Sequence, residues 1–141
     1  MSTTALISCS SKKLPTKARA RELYVSALFT KSLRYAELQN PEKTFILSAK
    51  HGLLELEQEI EPYDETLNTM KKAERMKWAQ GVLGKLEKIV NLQEERVIFL
   101  AGNRYREFLT PNIRHCEIPM KGMGIGEQLA YLNKYLGIKK A

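Results

Sequence analysis

The stretch that decides the fold is Thr44-Phe45-Ile46-Leu47-Ser48-Ala49-Lys50-His51-Gly52-Leu53-Leu54. Its first part is a short apolar run typical of a buried β-strand, and a hydroxyl, an ammonium group and an imidazole follow within a few residues. In an open α/β sheet, ligands bind in the crevice outside the carboxyl ends of the strands. The stretch therefore predicts a strand with a candidate site at its end, although a polar loop with a structural glycine would give the same pattern.

Three further segments predict β-strands on either side of this stretch, which itself supplies a strand over residues 43–48. They are the apolar runs 4–8 and 96–101 and the short segment 115–119. Polar or glycine-rich residues follow each run, so each strand is expected to end abruptly. The acidic segment 55–68 is expected to be irregular and to wrap across the edge of the sheet.

Apolar residues at helical spacing predict helices between the strands. These helices span residues 19–39 and 69–90, a short segment after Gly102, and residues 127–136. Leu38 is expected on the buried face of the first helix, and Met76 and Ile89 on that of the second. Alternation of strands and helices favours a parallel sheet covered on both faces. We therefore expect an α/β fold, a three-layer αβα sandwich of order βαβαβαβα with a four-stranded, mainly parallel sheet, as a single domain over residues 1–141.

The composition is that of a globular protein, with 43% hydrophobic and 28% charged residues. The net charge of +7 favours a polyanionic partner, such as DNA or RNA, or a phosphorylated small molecule. A solvated lysine-rich surface would explain the charge equally well. No apolar run approaches the roughly 18 residues of a membrane span, and no signal peptide precedes the first strand, so we expect a cytoplasmic protein without a membrane partner. The composition leaves the oligomeric state open.

The cysteines and histidines do not have the spacing of a metal site. Cys9 and Cys116 form no CxxC pair, and His51 and His115 lie far from them in sequence. We therefore expect no metal and no cofactor. Cys116 is interpreted as a small core residue, whereas Cys9 follows the first strand and is a candidate site residue.

The candidates for holding a substrate follow the predicted strands, so a parallel sheet would bring most of them to one rim. They are Ser8, Cys9, Ser10, Lys12, Lys13, Ser48, Tyr63, Gly102, Tyr105, Gly124 and Gly126. The first loop can hold a phosphate or a base edge through its hydroxyl, N–H and ammonium groups. The two tyrosines could stack on a base, and the two late glycines precede a helix whose amino terminus suits an anion. A solvated basic loop, core tyrosines and closely packed glycines are the structural alternatives.

Lys50, His51 and Asp64 are the candidates for catalysis. His51 can act as a general acid or base near neutral pH, and Asp64 can orient it or polarise a water molecule. Lys50 is a possible nucleophile if it is desolvated and a phosphate or carboxylate clamp if it is not. A loop histidine, a capping aspartate and a solvated lysine are the structural alternatives.

The ordered motifs of the chain resemble a family of small, largely uncharacterised bacterial and phage domains. These motifs are Ser8-Cys9-Ser10 with Lys13, Arg21–Tyr24, Ser26–Phe29, Ser48–Leu54, Pro62–Leu67, Leu100–Tyr105 and Gly124–Leu129. More distantly, the chain is similar to the core domain of archaeosine synthase and to the YaaA peroxide-stress family. These resemblances imply a uracil-DNA-glycosylase-like fold and an association with nucleic acid or modified nucleobases. The archaeosine synthase resemblance implies a nucleophilic or substrate-holding lysine at Lys12 or Lys13.

No G-Q-D-P-Y motif follows the first strand, so base excision is not implied. Three kinds of function remain open, in order of preference. The first is an enzyme acting on a nucleobase, nucleoside or nucleotide, possibly within nucleic acid. The second is a non-catalytic nucleic-acid-binding module, and the third is a phage or host protein-interaction domain that uses the acidic segment 55–65.

Overall fold

The structure is a computed structural model, and it describes residues 2–138. In chain order its strands and α-helices are β1 (Thr3–Ser8), β2 (Ala18–Arg19), α1 (Ala20–Leu23), α2 (Ala27–Leu38), β3 (Lys43–Ser48), β4 (Gly52–Glu55), β5 (Glu59–Ile60), α3 (Lys72–Leu86), β6 (Arg96–Leu100), α4 (Asn103–Arg106), β7 (His115–Glu117) and α5 (Ile125–Leu136). Single 3-10 turns lie at Leu67–Thr69 and Thr110–Asn112.

The main sheet has five strands in the order β4-β3-β1-β6-β7. β1 pairs in parallel with β3 and with β6, and β6 pairs in parallel with β7. β4 is antiparallel to β3. The α/β class is confirmed, whereas the expectation of four strands is wrong, because the chain turns back after β3 and adds an antiparallel edge strand.

Strands β3 and β4 form a β-hairpin, and the segment Ser48–Leu54 contains its turn. Ser48 pairs with Gly52, and the three residues between them make the turn. Gly52 has a φ of 70°, which glycine adopts without the steric cost of a Cβ atom. The buried Ser48 hydroxyl accepts a hydrogen bond from the His51 N–H at 3.0 Å. The residues that follow β3 therefore lie in a hairpin turn, and Gly52, Leu53 and Leu54 belong to β4.

Two other predicted segments also differ from the structure. The helix expected over residues 19–39 is interrupted at Tyr24–Ser26, and the Ser26 hydroxyl caps α2 by accepting from the Phe29 N–H at 3.1 Å. The segment 55–68 is not wholly irregular, because β5 within it pairs with β2 in a small antiparallel sheet. Leu38, expected to be buried, is 63% exposed.

Helix α3 lies against β4, and two residues predicted to be buried in this segment are exposed. They are Met76 and Ile89, whereas Arg75 is buried. Arg75 can occupy this position because its guanidinium is satisfied: Nε donates to Glu107 at 3.0 Å and Nη1 donates to the Met70 carbonyl at 2.6 Å. Burial of the charge is thus accompanied by pairing, which hydrophobic periodicity does not reveal.

The core is centred on β1, β3 and β6, whose apolar residues are almost completely buried. Helix α2 packs on α5. The chain passes from β1 to β3 on one side and later returns to β6 on the other side of β1. The order of connections therefore reverses between β1 and β6, and such a switch point is where open α/β sheets bind ligands. Within residues 2–138, no helix is both long and apolar enough to cross a membrane.

Candidate functional site

A cleft of about 520 Å³ opens at the switch point, beside the ends of β1 and β6. Its walls come from the loop after β1, the first turns of α2 and α5, and the loop after β6. Its apolar surface is formed by Ile7, Leu28, Phe29, Leu100, Ile125 and Leu129. Its polar side chains are Ser8, Cys9, Ser10, Ser11, Ser26, Ser32, Thr66, Asn68, Asn103, Arg104, Tyr105 and Gln128. The cleft combines an apolar interior with polar groups, as small-molecule sites do.

Five of the predicted substrate-holding residues line this cleft: Ser8, Cys9, Ser10, Gly102 and Tyr105. The Cys9 thiol donates to the Tyr105 hydroxyl at 3.5 Å and so joins the loop after β1 to α4. Tyr105 is only 7% exposed, and burial raises its pKa to about 12, with the nearby thiol adding to the shift. Tyr105 therefore forms part of the wall and has no free ring face on which a base could stack.

Ser32 places a hydroxyl deep in the cleft. It lies on α2, is 3% exposed, and makes no side-chain hydrogen bond to any residue between 2 and 138. Ser32 lines the cavity, so a ligand there can form a hydrogen bond with this hydroxyl. Ser26, six residues earlier, differs because its hydroxyl already caps α2.

The side chains at the rim of the cleft include two amides that are hydrogen-bonded to the protein and one guanidinium group that forms no ion pair with residues 2–138. Asn103 donates to Glu107 at 3.2 Å, and the Arg75 pair holds that carboxylate in place. Gln128 donates to the Met123 carbonyl at 2.9 Å. Arg104 is exposed, and no ion pair to it is formed by the part of the chain that the structure describes. Arg104 is thus available for an anionic ligand.

A buried tyrosine network lies between the first loop and the hairpin. The hydroxyls of Tyr24 and Tyr63 are 2.6 Å apart, and that of Tyr63 lies 2.7 Å from the Ser48 hydroxyl. Trp78 donates from Nε1 to the Ser48 carbonyl at 2.8 Å. Lys13 Nζ lies 4.4 Å from the centre of the Tyr63 ring, a cation–π distance. Burial raises the pKa of Tyr24 to about 12 and raises that of Tyr63 as well.

Three of the predicted substrate-holding residues belong to this network and do not line the cleft. They are Ser48, Tyr63 and Lys13. Ser48 is fully buried and Tyr63 is 7% exposed, so both are occupied in fastening the hairpin to the core. Lys13 packs on the network, while Lys12 is exposed and accepts from the Ser10 hydroxyl through its backbone carbonyl at 3.1 Å.

The three predicted catalytic residues are not assembled in the cleft. Lys50 and His51 line a second cavity of about 500 Å³ between the hairpin turn and α3. Asp64 is exposed, and among residues 2–138 it forms no hydrogen bond or ion pair with His51. Partial burial lowers the pKa of His51, and the neighbouring Lys50 ammonium lowers it further. Lys50 is exposed, so it is not held in apolar surroundings.

The two late glycines lie at the amino terminus of α5. Gly124 caps the helix, and its N–H donates to the Glu127 carboxylate at 3.2 Å. A carboxylate at this position stabilises the helix dipole. A Cβ atom at Gly126 would meet no atom within 4 Å, so close packing does not require glycine there.

Comparison with protein-family profiles gives a match to the "Family of unknown function (DUF6884)" over residues 4–134. The chain belongs to DUF6884. The matched region of this DUF6884 chain contains every residue that lines the cleft and the second cavity. No curated protein and no solved structure matches the chain.

Sequence reasoning missed several residues of the DUF6884 site. Ser32, Asn68 and Gln128 lie on helices or turns rather than at strand ends, so the strand-end rule does not select them. A serine on the buried face of α2 was the only signal for Ser32. Within residues 2–138 the structure also shows no group of three histidine, cysteine or acidic side chains that could hold a metal ion.

Proposed function

We propose that the cleft between β1 and β6 binds a nucleoside or nucleotide. The observation that carries this proposal is the cleft itself, which lies at the switch point and surrounds the unpartnered Ser32 hydroxyl with apolar walls. Its volume of about 520 Å³ lies in the usual range for small-molecule sites. A planar base with polar edges matches such a cavity, because its faces are apolar and its edges form hydrogen bonds.

The base would lie between the apolar first turns of α2 and α5. Leu28 and Phe29 form one side of this space, and Ile125 and Leu129 form the other. The Ser32 hydroxyl would then form a hydrogen bond with the base edge.

The sugar and phosphate would lie toward the rim. Arg104 supplies a guanidinium group there, and the loop after β1 supplies the hydroxyls of Ser8, Ser10 and Ser11. Helix α2 begins at the cleft, and helix amino termini favour anions. The proposal concerns binding, since the predicted acid–base residues Lys50 and His51 line the other cavity.

The test is a calorimetric titration with a panel of nucleobases, nucleosides and nucleoside monophosphates. We expect one class to bind, and Ser32→Ala to weaken that binding about tenfold through loss of one buried hydrogen bond. Arg104→Ala should weaken binding of the monophosphate about tenfold or more and leave binding of the free nucleoside unchanged.

Arg114→Ala is the matched control, because Arg114 is exposed and does not line the cleft. It should bind like the wild type. Absence of binding by every member of the panel, or equal affinity of the wild type and both cleft variants, would contradict the proposal.

We further propose that the sheet and helices form the three-layer αβα sandwich of uracil-DNA-glycosylase-like proteins. The proposal is supported by four parallel strands and by the packing of α2 with α5 and of α3 with β4. An experimental structure would test it by superposition on a glycosylase, and a different strand order would contradict it.

A further inference from the structure

The second cavity is a basic groove formed by the hairpin turn and one side of α3. We call it the lysine groove and define it by Lys50, His51, Lys77, Trp78 and Lys85. Its volume is about 500 Å³, and it is open to solvent. It lies apart from the cleft, and the T-shaped pair of Trp78 and Tyr105, with ring centres 5.8 Å apart, stands between the two cavities.

Positive charge dominates the lysine groove. Three ammonium groups line it, against the single carboxylate of Glu74. Lys50 and Lys85 both act on His51 by charge repulsion, and Glu65 is the carboxylate that opposes them there. No described residue pairs with Lys50, Lys77 or Lys85 in an ion pair, so in residues 2–138 their charges are not neutralised by the protein.

The groove also contains apolar surface in a fixed position. Trp78 is half-buried, and its indole is held by the hydrogen bond to the Ser48 carbonyl at 2.8 Å. Leu53, Met70 and Val82 lie around it. An aromatic ring among cationic side chains is the arrangement that binds single-stranded nucleic acid, because bases stack on the ring while the cations contact phosphates.

We propose that the lysine groove binds a segment of single-stranded nucleic acid, with the lysines on its phosphates and Trp78 against a base. Charge alone would suit an acidic peptide equally well. The aromatic surface of Trp78 beside the cations favours nucleic acid, because its bases can stack there. The proposal is independent of the ligand in the cleft. Protonation of His51 at lower pH adds a fourth positive charge to the groove, so binding of the oligonucleotide becomes tighter. The carboxylates that face this imidazole and the groove are Glu65 and Glu74.

The experiment follows the fluorescence of Trp78, which is the only tryptophan of the chain, during titration with a short single-stranded oligodeoxynucleotide. We expect quenching that saturates. With three lysines on phosphates, the logarithm of the affinity should fall with the logarithm of the salt concentration with a slope of about −2.

The charge-neutralised double variant Lys77→Gln/Lys85→Gln should bind about tenfold more weakly and with a slope reduced to about −0.7. The matched control Lys121→Gln/Lys134→Gln removes the same charge at exposed positions that do not line the groove, and should bind almost like the wild type. If both double variants lose affinity equally, binding follows net charge and the proposal is wrong.

Inorganic phosphate and pyrophosphate are titrated in parallel to separate the two sources of phosphate. Either anion binding as tightly as the oligonucleotide would overturn the proposal in favour of a small-anion site. Nucleotide binding by the cleft should be the same in the wild type and in Lys77→Gln/Lys85→Gln. The experiments therefore distinguish failure of the proposal for the lysine groove from failure of the proposal for the cleft.

Discussion

At the scale of single residues, the setting of a side chain decides its role more than its chemical type. Tyr63 and Tyr105 were both expected to stack on a base, yet both are buried and bonded through their hydroxyls. Ser32 was not selected, although it is almost completely buried and lines the cleft. The burial of Tyr63 depends on hydrogen-bond partners that lie far away in sequence, because its hydroxyl is bonded to those of Tyr24 and Ser48.

His51 should make the stability of the protein depend on pH. Its pKa in the folded state is lowered from the ordinary value of 6.5, chiefly by burial and then by Lys50. Below about pH 6.5, the imidazole of the unfolded chain binds a proton more readily than that of the folded chain. The free energy of unfolding therefore falls as the pH drops from about 6.5. This contribution is fully present above pH 6.5 and is lost as the pH falls through the folded-state pKa.

Denaturant unfolding at several pH values between 7.5 and 5 measures this effect on the wild type and on His51→Gln. The variant should lose less stability over this range than the wild type, because glutamine does not titrate. Parallel stability–pH curves for the two proteins would contradict the assignment to His51.

At the scale of elements, turns and caps decide where the chain departs from simple alternation of strands and helices. Ser26 starts a new helix where periodicity predicts a continuous one, and Gly52 permits the hairpin that adds β4. Both effects are local. The start of α2 depends on one hydrogen bond, and the hairpin depends on one backbone angle. Hydrophobic periodicity averages over many residues and does not resolve them.

Gly52→Ala should lower the free energy of unfolding by about 1–2 kcal/mol, the cost of a left-handed conformation for a residue with a Cβ atom. Steric exclusion is not the reason, since the added Cβ would lie 3.6 Å from Val82 Cγ2, an ordinary contact. Urea unfolding gives the change directly.

Gly81→Ala is the matched control, because Gly81 lies inside α3 and an added Cβ would meet nothing within 4 Å. This substitution should raise the free energy of unfolding by about 0.5–1 kcal/mol. Equal effects of the two substitutions would show that the backbone angle of Gly52 does not matter.

At the scale of the whole molecule, the order of the strands determines what the candidate residues can do. β1 lies at the centre, so the loops that follow β1 and β6 meet at the cleft. The hairpin after β3 instead faces α3 and forms the lysine groove. Of the four loops expected to converge on one rim, those after β1 and β6 therefore meet at the cleft, and the one after β3 lines the lysine groove instead.

Amide hydrogen exchange should reflect this arrangement. The amides of β1 and β6, which are paired on both sides and deeply buried, should exchange most slowly, and those of the short β2–β5 pair should exchange first. Mass spectrometry of peptides after timed labelling measures the order. Protection of the β2–β5 pair equal to that of β1 would mean that the small sheet unfolds only with the core.

The sequence by itself determined the α/β class and the positions of β1, β3, β6 and β7. The first three are short apolar runs bounded by polar residues or glycine, and β7 is a short segment between two turns. It also identified five residues of the cleft, since residues that follow adjacent parallel strands meet at one edge. Only the tertiary structure decided the rest. The antiparallel return of β4 moved Lys50 and His51 to another surface, and packing of α2 against the sheet placed Ser32 in the cleft. Both outcomes depend on contacts between distant segments, which local patterns do not contain.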